Sequence, residues 1–131
     1  MPSLGLHLTV ARSLASDLDS PLVEADRGAY YLGATTPDIR VLTKWDRAHT
    51  HFFDLECLDM QDSVAKMFDA YPGLRDQATI DAMTRAFMAG VITHLVLDEL
   101  YIDTMYRDYF GARSSIRHGA STSSFSIGSS P

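Results

Sequence analysis

The segment HLVLDE places His94 and Asp98 four residues apart. On a helix, side chains at that spacing project from one face. Met83, Phe87, Gly90, Val91, Ile102, Met105 and Tyr109 fall on or near the same face, so the imidazole and the carboxylate lie inside an apolar stripe. Burying both costs on the order of several kcal/mol unless they are paired or bind an ion. Taken alone, the pair fits either a hydrogen bond within the helix or a share in an ion site.

Three other segments carry residues of the same chemistry. His7 lies beside an apolar stripe, Asp38 follows Pro37 in a turn, and His51 stands between Thr50 and the pair Phe52-Phe53. Each also has a simpler reading: His7 as a core-edge histidine, Asp38 as a turn or capping residue, His51 as a helix-terminal residue. His49 is read as a solvated loop residue, with a ligand role as the lesser alternative. Glu99 points about 100° away from Asp98 around the helix and is left out of the cluster. Cys57 is the only cysteine, which rules out an intrachain disulfide and a thiolate-rich zinc site. Any metal must be held by nitrogen and oxygen.

The elements that position these residues are helical. Leu4, Leu8, Ala11, Leu14, Ala15 and Leu18 recur at intervals of three and four, predicting a helix over residues 4–18. Asp19-Ser20-Pro21 ends it and starts another, which carries Val23 through Tyr31 and runs into Gly33. GATTPDIR, residues 33–40, reads as a turn, with Gly33 closing the preceding helix and Pro37 restraining Thr36. Residues 41–50 are polar and irregular, and Thr50 is expected to cap a helix beginning at His51. DSVAKMFDAY predicts a helix from Asp62 to the Pro72-Gly73 breaker. Thr79 with Asp81 starts the longest helix, which runs to about Phe110. No run alternates with period two for long enough to suggest a sheet. The expected fold is all-α, a bundle of four to five helices over residues 1–112. A flexible tail over residues 113–131 follows, with eight serines from Ser114 onward.

Composition sets further bounds. With 131 residues, 46% of them hydrophobic and 21% charged, the chain supports one compact domain with a core. A formal net charge of −6 disfavours nucleic acid as a partner and any general attraction to anionic surfaces. An anionic substrate would need a local positive centre, which a bound metal ion provides. The N-terminal MPSLGLHLTVARSLA lacks a basic n-region and a long apolar core, and no stretch approaches the ~18 apolar residues of a membrane span. A cytoplasmic location is expected.

In order, LHLTVA, YLGATTPDI, THFF and AFMAGVITHLVLDE resemble the motifs of the zinc-dependent phospholipases C. The resemblance covers about residues 4–104. Its most specific parts are the G-x-x-x-P-D turn and the A-G-x-x-x-H-x-x-x-D helix. It implies a helical bundle holding zinc, with Asp38, His51 and His94 on one ion, His7 helping to hold another, and Asp98 bridging the two. One or two Zn2+ ions are therefore expected as cofactor. The implied activity is phosphoester hydrolysis on a phospholipid-like or other small phosphodiester. Water shared by the ions would ionise near neutral pH and attack phosphorus, with Asp38 as the alternative general base.

The chain also departs from the family pattern. Members that use a processed N-terminal tryptophan as a ligand have no counterpart in Met1-Pro2, so the second ion is expected to be weakly held. A third ion is not expected, because only His118 follows Asp98 among the histidines, and it lies in the serine-rich tail. The chain reads as a short member lacking later helices, which would leave half a core to be closed by homodimerisation. The competing reading is a non-catalytic helical protein with a structural or degenerate zinc site, acting through assembly. A single-strand nuclease activity is the third reading, disfavoured by the acidic balance.

Overall fold

The computed structural model describes residues 2–57 and 60–105. All regular elements among these residues are helical, as the absence of period-two alternation predicts. The tail over 113–131 with His118, and the end of the long stripe at Tyr109 and Phe110, lie outside the described residues.

Helix α1 spans Leu4–Leu18. It starts where Ser3 accepts a hydrogen bond from the Leu6 backbone at 3.2 Å, and it ends at Asp19, which takes a left-handed conformation with φ 42°. Its buried line is His7, Ala11 and Ala15, whereas Leu4, Leu8 and Leu18 are exposed. His7 therefore belongs to the packed face rather than to its margin. The small alanines let α1 approach its neighbours closely.

The predicted helix from Pro21 to Gly33 is two helices. Helix α2 is a single turn, Pro21–Glu24, and α3 spans Arg27–Thr35. The break falls at Asp26, whose side chain accepts from the Ala29 backbone at 2.9 Å and so starts a new helix. Gly33 does not end α3. It lies inside the helix, where an added Cβ would sit 1.9 Å from the Phe87 carbonyl oxygen.

After α3 the chain makes a 3-10 turn, Thr36–Ile39, and a short helix α4, Arg40–Thr43, closed by Lys44 at φ 58°. Part of the stretch read as irregular is thus helical. Helix α5, Arg47–His51, is capped by Asp46, which accepts from the Ala48 backbone at 3.0 Å. His51 ends this helix instead of opening one, and Thr50 lies within it. Asp62 and Asp81 cap the next two long helices as expected: α6, Ser63–Ala70, and α7, Ala82–Tyr101. Between them lies a 3-10 turn at Pro72–Arg75.

Helix α7 is the axis, with its largest interface against α3 and further contacts to α1, α2 and α6. Gly90 on α7 faces α3 as Gly33 faces α7, and a Cβ there would meet the Tyr30 carbonyl oxygen at 2.0 Å. Two glycines thus bring two backbones into direct contact. Around them, Ala11, Ala15, Val23, Tyr30, Ala34 and Ala86 form one buried cluster, and Met67, Val91 and Leu95 form another. Tyr30 is part of this core, and its hydroxyl lies 3.2 Å from that of Thr93. None of the described helices is long and apolar enough to cross a membrane.

Candidate metal centre

The five residues singled out by their chemistry come together at the inner face of α7. His94 and Asp98 project from α7 itself, His7 from α1, His51 from the end of α5, and Asp38 from the 3-10 turn after α3. His7, His51, His94 and Asp98 are buried, and only the Asp38 side chain is substantially accessible, at 29%. His49 is exposed and outside the cluster. Glu99 is also outside it, its carboxylate accepting hydrogen bonds from the backbone and hydroxyl of Ser63.

Asp38 Oδ1, His51 Nε2 and His94 Nε2 form a triangle with sides of 3.3, 3.3 and 3.6 Å. Zinc bonds of ~2.0–2.1 Å place ligand atoms about 3.3 Å apart at the corners of a tetrahedron. Asp98 Oδ2 lies 3.3 Å from His51 Nε2 and 3.7 Å from His94 Nε2, and Asp98 forms a second ligand group with His7 and His94. The other oxygen, Asp98 Oδ1, lies 3.1 Å from His7 Nε2, yet no hydrogen bond reaches it. His7 Nδ1 is also buried and unpartnered. A buried oxygen without a hydrogen bond, facing an imidazole nitrogen, is a position that a cation would satisfy, and imidazole nitrogen with carboxylate oxygen is a donor set that zinc accepts. The residues present fit a zinc ion.

The surrounding contacts fix which ring nitrogens face inward. His94 Nδ1 lies 2.7 Å from the Ala34 carbonyl oxygen. A carbonyl only accepts, so Nδ1 carries the proton and the Nε2 lone pair points at the cluster. His51 Nδ1 lies 2.8 Å from the Thr50 hydroxyl, which also reaches the Arg47 carbonyl at 3.5 Å. With the hydroxyl proton given to Arg47, Thr50 accepts from His51 Nδ1 and bares Nε2 in the same way. The rings of His7 and His94 stack at 3.6 Å, 5° from parallel.

Burial pushes the His94 pKa down to about 4, against the bond to Ala34, and so keeps the ring neutral and its lone pair free at neutral pH. For Asp98, burial pushes the carboxyl up, but His7, His94, His51 and Arg47 outweigh it and hold the group below its ordinary value. Asp38 behaves alike: burial raises it, while the bond to His51 and the neighbouring imidazoles bring it lower. Both carboxyls are ionised and ready to bind a cation.

Arg47 is the member of the site that its residue type and spacing did not single out. Its Nη2 donates to Asp98 Oδ2 at 2.8 Å, and its side chain is 13% exposed. Burial pulls the guanidinium below its ordinary pKa, opposed by Asp98, but an arginine remains charged. The available signal was its position four residues before His51, one turn away on the same face of α5.

An apolar cavity of about 330 Å3 is lined in part by Pro37, Ile39, Trp45, Phe52 and Tyr71, and by none of the five cluster residues themselves. Pro37 and Ile39 flank Asp38, and Thr50 and Phe52, also in its wall, flank His51. A second cavity of about 290 Å3, beside Pro21, Leu22 and Arg85, shares no residue with the cluster.

In comparison with known proteins, the family model described as zinc dependent phospholipase C matches residues 6–120. Nothing matches among curated proteins or solved structures.

Proposed function

The chain belongs to the zinc-dependent phospholipase C family, and we propose that it is a phosphodiester hydrolase in which Asp38, His51, His94 and Asp98 hold a zinc ion. The observation that carries this reading is the triangle of Asp38, His51 and His94, whose 3.3, 3.3 and 3.6 Å sides match the edges of a zinc tetrahedron. His7 is assigned to the far side of Asp98, where its Nε2 faces Oδ1. Bound zinc supplies positive charge for the phosphoryl oxygens and lowers the pKa of a nearby water.

The chain's own residues do the rest. Asp38 is the accessible member of the cluster, so substrate and water approach along its edge. Its depressed pKa makes it an acceptor that ligates and orients water, a weaker role than the full general base read from its position. The apolar cavity lined by the chain neighbours of Asp38 and His51 suits the hydrophobic part of a phospholipid-like substrate, with the phosphoryl group at the cluster. The imidazoles of His7, His51 and His94 are themselves buried and so held out of bulk water.

The test is hydrolysis of a chromogenic phosphodiester by the purified protein with added zinc. The reading requires zinc-dependent turnover that Asp38→Asn and His51→Ala abolish. A zinc-loaded, folded protein with no turnover on phosphodiesters or phospholipid would favour the alternative, a non-catalytic helical metal-binding or assembly protein.

Further parts of the proposal concern organisation. A helical zinc-site domain over 1–112 with a separate tail over 113–131 is tested by limited proteolysis. A homodimer is supported by the exposed Leu18, Leu32, Val41 and Leu42, and a solution mass measurement tests it. The cytoplasmic location read from the sequence is likewise proposed, and cell fractionation tests it.

A further inference from the structure

Arg47 introduces a fixed positive charge into a centre that already has few donors for a second metal ion. Its guanidinium donates to Asp98 Oδ2 at 2.8 Å, the same oxygen that lies 3.3 Å from His51 Nε2 and 3.7 Å from His94 Nε2. Arg40 adds to the positive potential at Arg47.

The donors for a second ion are limited by chemistry. His94 lies within ligand reach both of Asp38 with His51 and of His7 with Asp98. With Nδ1 committed to the Ala34 carbonyl, however, His94 has one lone pair, and it can serve one ion only. Among the described residues, a second ion beside His7 is left with His7 and Asp98 Oδ1 as protein ligands. Two ligands fall short of the three that open zinc sites usually have.

Charge acts in the same direction. One zinc ion offsets the two carboxylates of Asp38 and Asp98, and Arg47 then already leaves the cluster positive. A second divalent ion, sharing the Asp98 carboxylate with a guanidinium, meets like charge across a single carboxylate group in a buried site.

We propose that Arg47 restricts this centre to a single tightly bound zinc ion, its guanidinium standing on Asp98 in place of the charge of a second ion. Arg47 is thus a positioning residue that sets metal number and holds the Asp98 carboxylate. The inference rests on the zinc reading given above.

The experiment is calorimetric zinc titration of the metal-stripped full chain, with zinc content measured after gel filtration, on wild type, Arg47→Gln, Arg47→Lys and the double variant Arg47→Gln/His7→Ala. Wild type and Arg47→Lys are expected to hold one tight ion. Arg47→Gln is expected to gain a second, with affinity raised roughly ten- to a hundredfold, the usual reach of a contact behind a metal ligand. Adding His7→Ala should remove it again. Two ions of comparable affinity in wild type would overturn the proposal, as would Arg47→Gln holding one ion with the second site no tighter than before. If Arg47→Gln does not fold, as judged by its far-UV spectrum, the wild-type titration still decides. No zinc in wild type would instead overturn the zinc reading itself, so the two failures are distinguishable.

Discussion

His94 Nδ1 donates to the carbonyl oxygen of Ala34 across 2.7 Å, tying the helix that carries the centre to the helix beneath it. That bond exists because Gly33 and Gly90 let the two backbones touch. The bond chooses the tautomer of His94, and the tautomer points its lone pair at the metal site. Packing and chemistry are therefore joined at one contact.

Replacing Gly33 or Gly90 with alanine would place a methyl group within about 2 Å of a backbone oxygen. The helices must separate, at a cost of about 2–3 kcal/mol or more. Chemical denaturation should show that loss, and zinc affinity should fall with it because the Ala34 carbonyl is drawn away from His94. Unchanged stability in both variants would contradict the packing described.

The two carboxylates predict opposite profiles. Asp98→Asn leaves the buried guanidinium of Arg47 without its counter-charge, so metal-free stability should fall by roughly 3 kcal/mol. Asp38→Asn, at the accessible edge, should change metal-free stability by less than about 1 kcal/mol while weakening zinc binding. Denaturation of the two stripped variants side by side checks the contrast, which a similar loss in both would refute.

Much of this was legible in the chain because short-range rules governed it. The limits of α1 follow its apolar spacing, and Asp62 and Asp81 start their helices as aspartates before apolar runs do. His94 and Asp98 could be paired from spacing within one helix, whereas gathering Asp38, His51 and His7 around them depended on the family resemblance. The misreadings have tertiary causes. Gly33 looked like a helix terminator, but its missing side chain serves contact with a helix more than fifty residues on. Helix α5 has only five residues, too few to show periodicity, so Arg47 passed as part of a polar loop. His7 was placed at the edge of a leucine stripe because hydrophobicity favoured the leucines, while close packing buried the alanine line instead.

Acid should weaken the metal-free protein in two stages. The His94 pKa falls from 6.5 to about 4 on folding, so between those values the unfolded chain binds the extra proton. Stability from this group is complete above about pH 6.5 and is lost as pH falls toward about 4. The full loss is about 3 kcal/mol. Asp38 and Asp98, held below 3.8, contribute stability present above that value and lost as pH falls through their lower folded values. Urea unfolding from pH 7 to 4 measures the first stage, and His94→Gln should flatten it. An equally steep slope in that variant would assign the proton to another group.

Zinc content tests the central claim most directly. Wild-type protein equilibrated with zinc and then freed of excess by gel filtration should retain one zinc ion per chain, while a folded His94→Ala variant treated identically should retain none. A wild type that emerges without zinc, or a variant that keeps as much as wild type, would contradict a zinc centre built around His94.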